Sequence, residues 1–464
     1  MIHAILRSLL LASMNLTASF AATYHFDSAA ENDLRDGLTP GTAWKSLEKF
    51  NATVFKPGDR ILFKSGEKWS GQMRPQGSGT AVADNRVPIV IGRYGEGALP
   101  EIAGEGNSNA TLLVSDVEHW EITDLSISNK GPSTAPDRSG VRIQADAVKV
   151  MHGITLRGLH VHDVNGDLRK SHEGHGILFE ASRRTGASFD GILIENCKLE
   201  RTDRNGICQR GQGRTRSRNV IIRSNILNDI GGDGIKLWGT NGGLIEKNIV
   251  RNARARCSDA AAGIWPFACD DTIIQFNEVT GTKGTTDGMA YDSDYQSKRT
   301  IIQHNYSHNN EGGFILVCSP GHSYNLDTIV RHNVSVHDGI NSARVIQIAG
   351  NPTRTLFHNN TIVLGPHQNV PLISFNDWDG GNANDTQFTN NILIVSDGGK
   401  ATYRFGASKG TRFTGDQFLG THEGLPEGVR SISARLPAED AAILRSSSPP
   451  VSQPGTPEGP GFSE

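Results

Sequence analysis

The sequence predicts an all-β fold: a single-stranded, right-handed parallel β-helix (a solenoid) of about ten coils, with a short N-terminal capping helix. Three observations predict it. A short β-branched stretch ending in Asn recurs at Asn196, Asn225, Asn248, Asn277, Asn305 and Asn333, and again near Asn359 and Asn390, at intervals of 23 to 31 residues. A second series places glycine before an apolar residue: Gly176-Ile177, Gly206-Ile207, Gly234-Ile235, Gly263-Ile264, Gly288-Met289 and Gly313-Phe314. Composition agrees, since 53 glycines and only 6% aromatic residues suit many turns and short strands.

Residues 1–21 read as an export signal. Arg7 supplies the positive charge, Ser8 to Leu16 is largely apolar, and Ser19-Phe20-Ala21 offers small residues where a signal peptidase cuts. The mature chain is expected to begin near Ala22 and to be secreted or periplasmic in a bacterium. The apolar run is too short for a membrane span, and none follows. Residues 22–105 are expected to hold an N-terminal cap and the first coils. Trp44, Leu47 and Phe50 stand at helical spacing there, and an amphipathic helix would plug the open end of a stack.

Residues 106–397 carry the coils. Runs such as Val220-Ile221-Ile222 and Thr272-Ile273-Ile274 are β-branched and short, as strands require. Stacked Asn amides can bond along the column and satisfy turn backbone that is otherwise buried. This reading also takes the Asn-X-Ser/Thr sequences at Asn305 and Asn333 as structural. Counting from each column glycine, the second and fourth residues after it face outward. These are Leu178 and Glu180, Cys208 and Arg210, Lys236 and Trp238, Trp265 and Phe267, Ala290 and Asp292, Ile315 and Val317. Residues 398–446 are expected to cover the far end, and the Ser-, Pro- and Gly-rich 447–464 to be disordered. Five cysteines without a CxxC spacing argue against a zinc or redox site, and a Cys257–Cys269 bridge stays open.

Several segments resemble secreted pectin-lyase-like β-helix proteins. They are Tyr24-His25-Phe26-Asp27, Asn32-Asp33, Asp36-Gly37, Trp44-Lys45-Ser46-Leu47 and Pro57-Gly58-Asp59. Asp287-Gly288 through Asp292 and Asp294, and Asn305 through Phe314, are similar to a motif of right-handed β-helix proteins in carbohydrate-degrading systems. The resemblance implies the fold and a carbohydrate substrate, but not one reaction. The β-xylosidase-like β-helix hydrolases place Asp and Glu in equivalent outward positions of adjacent coils. Asp292 matches the first, and Val317 stands where the second is expected. Gly174-His175-Gly176 is similar to the polygalacturonase Gly-His-Gly, yet it precedes every candidate acid instead of following the aspartates.

On the predicted wall, Asp233 and Asp287 precede column glycines two coils apart, roughly 10 Å in a parallel ladder. Asp292 points outward between aromatic faces. A carboxyl pair of this kind serves glycosidic hydrolysis, one group as general acid and the other activating water or attacking the anomeric carbon. Trp238 and Trp265 are expected to stack on sugar rings, with His175, His308 and Glu180 as further binding candidates. This reading needs no cofactor. The alternative is a lyase in which Lys236 or Arg210 abstracts a proton beside a uronate, with Ca²⁺ held by Asp287, Asp292 and Asp294. A third reading is a glycan-binding β-helix without catalysis. The partner expected in all three is a polysaccharide or oligosaccharide bound by a monomer. A net charge of −3 offers no case for nucleic acid.

Overall fold

The computed structural model describes residues 21–82, 85–211, 215–341 and 344–432. Residues 1–20 of the expected export signal, the end of the 398–446 region and the 447–464 tail lie outside the described residues. Parallel strands form three long sheets of 17, 13 and 12 strands. One coil contributes Val150–Arg157 to the first, His160–Val164 to the second and His175–Ala181 to the third, here called the wall. The chain is a right-handed parallel β-helix.

Alternation along each strand fills the interior. Ile194, Ile222, Ile245, Ile274, Ile302 and Val330 stack in the first sheet with essentially no exposure. Each such side chain contributes roughly 1.5–3 kcal/mol. The turn between the first and second sheets is held by an amide ladder. Asn225 Nδ2 donates to Asn248 Oδ1 at 2.9 Å, Asn248 to Asn277 at 3.0 Å, and so on through Asn305, Asn333, Asn360 and Asn391 to Asp416. Each Nδ2 also donates to a carbonyl of the preceding coil, as Asn277 does to Ile245 at 3.0 Å. Three expected members need correction. Cys197, Asn360 and Asn391 occupy the column, not Asn196, Asn359 and Asn390, which hold the left-handed backbone of the turn just before it.

The N-terminal helix is shorter than the pattern suggests, spanning Leu47–Ala52. Asp33 accepts from the Lys45 and Ser46 N–H groups, and the Ser46 hydroxyl caps Lys49 N, which fixes the start. Phe50 and Phe55 then pack on Phe26, Phe63 and Trp120 and close that end. Within residues 22–105, Arg60–Lys64 already pairs in parallel with Ile89–Tyr94, and past residue 397 Arg412–Thr414 and Gln417–Leu419 still pair in parallel with the coil before them. All five cysteines are unpaired, so the Cys257–Cys269 bridge does not form.

On the wall the glycine column is real and sterically required. A Cβ on Gly206 would stand 2.7 Å from Gly234 O, one on Gly234 2.4 Å from Gly263 O, and one on Gly263 2.5 Å from Ala290 O. Ala290 therefore occupies the column in its coil and is buried, not outward. Gly288 and Gly313 lie outside it, because Ile264, Tyr291, Ile315 and Ile346 are the residues in register. Asp287 and Gly288 form a left-handed turn, with φ of 57° and 64°, that delays entry into the strand. The slip is two residues at Gly288, which preserves facing, and one at Gly313, which inverts it. Asp292 thus faces outward as expected. Leu316 and Cys318 replace Ile315 and Val317, which are in the core.

Candidate active site

The wall presents two outward columns. One runs Cys208, Lys236, Trp265, Asp292, Leu316 and Gln347, and the other Arg210, Trp238, Phe267, Asp294, Cys318 and Ala349. They floor a groove of about 870 Å³. Lys170, Ser171 and Glu173 of the 167–174 loop stand on one side, Ala260 of the 253–262 loop beside them, and Asp377 and Trp378 on the other.

Three carboxyls meet here. Asp292 is almost covered, at 5% exposure, while Asp287 and Asp294 are half-buried. Burial raises all three above the usual carboxylate range, and repulsion adds to it, from Asp233 on Asp287, from Asp287 on Asp294 and from all of these on Asp292. Asp292 is raised furthest, with Asp294, Asp287 and Asp233 all contributing. Asp294 is raised to about 6. Its anion is favoured by the Tyr295 N–H at 2.8 Å and by the Cys318 thiol, 3.1 Å from Oδ1. Lys170, Arg344 and Arg254 are cations that favour ionised Asp287.

Asp233, a sequence candidate for catalysis, is fully buried and serves as a bracket. Its Oδ1 accepts from the Ala262 N–H and the Trp265 indole N–H, both at 2.9 Å. Oδ2 faces Arg204 Nη1 at 3.2 Å. Arg204 is equally buried and also meets Asp259 Oδ1 at 3.0 Å and Ala260 O at 2.9 Å. Trp265 is thereby locked in the column position beside Asp292.

Lys236 is committed too. Its Nζ donates to Glu173 Oε1 at 3.0 Å and lies 5.4 Å over the Trp265 ring. Burial opposes its charge, but Cys208, Glu173 and Asp233 outweigh burial and raise its pKa, so it holds its proton. Burial likewise opposes the Glu173 anion, which Lys236 and His175 rescue to well below the usual range. Arg210 lies 3.6 Å from both Glu180 and Asp137. Neither cation is the free base an elimination needs. The expected calcium set does not assemble either. The donor atoms within 4.8 Å of one another belong to Asp292, Asp294 and Cys318, and a thiol is a poor partner for a cation that takes oxygen ligands.

Three binding candidates fall elsewhere. His175 is fully buried beneath Arg210, with its pKa lowered to about 4, by burial first. His308 belongs to the second sheet, stacked on Tyr306 and 3.4 Å from Glu278. Glu180 lines a separate polar hollow with Asp146 and Arg183. Trp238 does line the groove and opens an aromatic run that sequence reasoning missed. Trp238, Phe267, Tyr295 and Trp378 stand edge to face at 5.1, 4.7 and 5.8 Å between successive rings. Trp378 rides a tight turn, where its carbonyl accepts from Gly321 and Gly381, and is 39% exposed.

Fold and groove define the class: a right-handed parallel β-helix protein with a carboxylate-bearing groove on one wall. Residues 175–363 match the family model of the right-handed β-helix region. The lacto-N-biosidase of Bifidobacterium longum subsp. longum is 26% identical over 487 residues, covering 83% of this chain and 30% of that protein. The chain therefore spans under a third of the length of that curated relative. The crystal structure of GH136 lacto-N-biosidase from Eubacterium ramulus superposes with a TM-score of 0.65 at 26% identity, over 82% of this chain and 67% of that one. A mannuronic acid specific family 6 polysaccharide lyase from human gut microbiota shares the fold alone, with a TM-score of 0.53 and 10% identity over 92% of this chain and 94% of that one.

Proposed function

We propose that this chain is a glycoside hydrolase that cleaves an oligosaccharide or polysaccharide in the wall groove. The observation that carries the reading is the placement of Asp287 and Asp294, two carboxyls open to one aromatic-lined groove, both raised by burial, with the Asp287 charge adding to the rise of Asp294. Asp287 protonates the glycosidic oxygen. Asp294, favoured as the anion by two donors, acts at the anomeric carbon. Asp292, nearly covered and raised furthest by burial and its neighbouring carboxylates, resists ionisation and so spares the groove a third negative charge. Trp265, fixed by Asp233, and the run from Trp238 to Trp378 hold sugar faces. The chemistry needs no cofactor. The similarity to lacto-N-biosidases makes glycans bearing lacto-N-biose the first substrates to test, and the chain is proposed to reach them after export, with cleavage near Ala22.

The test is a digest of a glycan panel, lacto-N-biosides and neutral and uronate-rich polysaccharides together. It is read for reducing ends and for absorbance of a new C=C bond. Reducing ends without absorbance, with turnover lowered about 10²–10⁴-fold in Asp287→Asn and in Asp294→Asn, support hydrolysis. New absorbance makes the protein a lyase. Binding without turnover, intact in both variants, makes it a glycan-binding module.

A further inference from the structure

We propose that the Cys318 thiol is a positioning residue for catalysis, donating a hydrogen bond that orients the Asp294 carboxylate. The proposal rests on the reading of Asp294 as the group that acts at the anomeric carbon. Cys318 follows Val317, the partner of Ser293, and so stands beside Asp294 in the second outward column. Its Sγ lies 3.1 Å from Asp294 Oδ1 and 3.8 Å from Asp292 Oδ1. The Tyr295 N–H reaches the same Oδ1 at 2.8 Å. Two donors converging on one oxygen fix the rotation of the carboxylate and leave Oδ2 for the sugar.

The thiol suits that task for a physical reason. Cys318 is 3% exposed and packs with Ala262, Met289, Leu316 and Ala349. Burial first, and then the neighbouring carboxylates, hold the thiol well above its usual range. It keeps its proton and acts as a donor, not as a nucleophile or a metal-binding thiolate. A residue that only filled space here would be replaceable by alanine at a small cost in packing.

The experiment compares Cys318→Ala, Cys318→Ser and Asp294→Asn in the full chain, with kcat and KM on a hydrolysed glycoside and a melting curve for each. Cys318→Ala is expected to lower kcat about tenfold or more, the scale of one lost hydrogen bond to a charged group, with KM within about twofold. Cys318→Ser, which keeps an O–H donor, is expected to recover most of that loss. Unchanged kcat in a folded Cys318→Ala overturns the proposal. So does a Ser variant as slow as Ala, because packing alone then explains the loss. Asp294→Asn separates the two levels: if it turns over normally, the reading of the site itself fails. If it is inactive while Cys318→Ala is normal, only the role of the thiol fails.

Discussion

Replacing Asp233 by Asn tests whether this aspartate supports the groove or does chemistry in it. The carboxylate faces the guanidinium of Arg204, and neither residue has measurable exposure. Removing one partner of a buried pair costs about 3–5 kcal/mol, because the other charge stays buried. Arg204 keeps Asp259 and the Ala260 carbonyl, so the low end applies, about 3 kcal/mol. The amide oxygen of Asn can still accept from Trp265 Nε1 and Ala262 N, so the indole stays in place. Turnover is therefore expected within about tenfold of the parent while the variant is folded. Urea unfolding followed by tryptophan fluorescence reads the first quantity, and initial rates below the melting range read the second. Adding Arg204→Met should recover much of the stability, since no unpaired cation then remains. Parent-like unfolding with turnover abolished would refute the reasoning and return Asp233 to the catalytic machinery.

Other predictions concern pH and the ladder. Asp294 must be ionised to act, and burial lifts it to about 6, so kcat/KM should fall as pH drops below that value. A limb at an ordinary carboxylate pH near 4 contradicts the assignment. His175 is buried neutral with its pKa lowered from 6.5 to about 4. The unfolded chain takes up its proton first, so stability is complete above pH 6.5 and declines as pH falls towards 4, by roughly 3 kcal/mol at most. In His175→Gln the unfolding free energy should lose that part of its acid dependence. Asn277→Ala strands the Ile245 carbonyl and the Asn248 N–H in the interior and should cost about 2–5 kcal/mol. Asn359→Gly, at an exposed left-handed position, should cost less than about 1 kcal/mol in the same denaturation assay.

The fold was legible because its signals are periodic. Ile245, Ile274 and Ile302 recur in one frame, and steric closeness enforces glycine wherever the next carbonyl approaches. Legibility failed by single residues. The Asn that bonds along the stack and the residue before it, in the left-handed turn, are both Asn at 359–360 and 390–391, and pattern alone does not separate them. At Gly313 a one-residue slip inverted the strand and hid Leu316 and Cys318. The site was half visible. Asp292, Trp238 and Trp265 follow from face counting, whereas Asp287 was reached through Gly288, which proves to lie outside the glycine column. Asp233, Lys236 and Arg210 were read as free groups because their partners, Arg204, Glu173 and Glu180, come from other coils. Trp378 sits in an Asp-Trp-Asp-Gly-Gly turn, and only the folded chain carries that turn to the wall.

The amide ladder has a direction. Every Asn from Asn225 to Asn391 hands its N–H to the next coil, so the side-chain dipoles add head to tail, and the run ends on the Asp416 carboxylate. Like a helix, the stack has a polarity, and the anion sits where the donors point. At the opposite end the column opens with the Cys197 backbone N–H, which donates to Asn225 Oδ1 and needs no charge. The two ends are therefore not equivalent for growth of the solenoid. A coil added before Asn225 need only supply a backbone donor, whereas a coil added after Asn391 must carry the terminating anion outward with it.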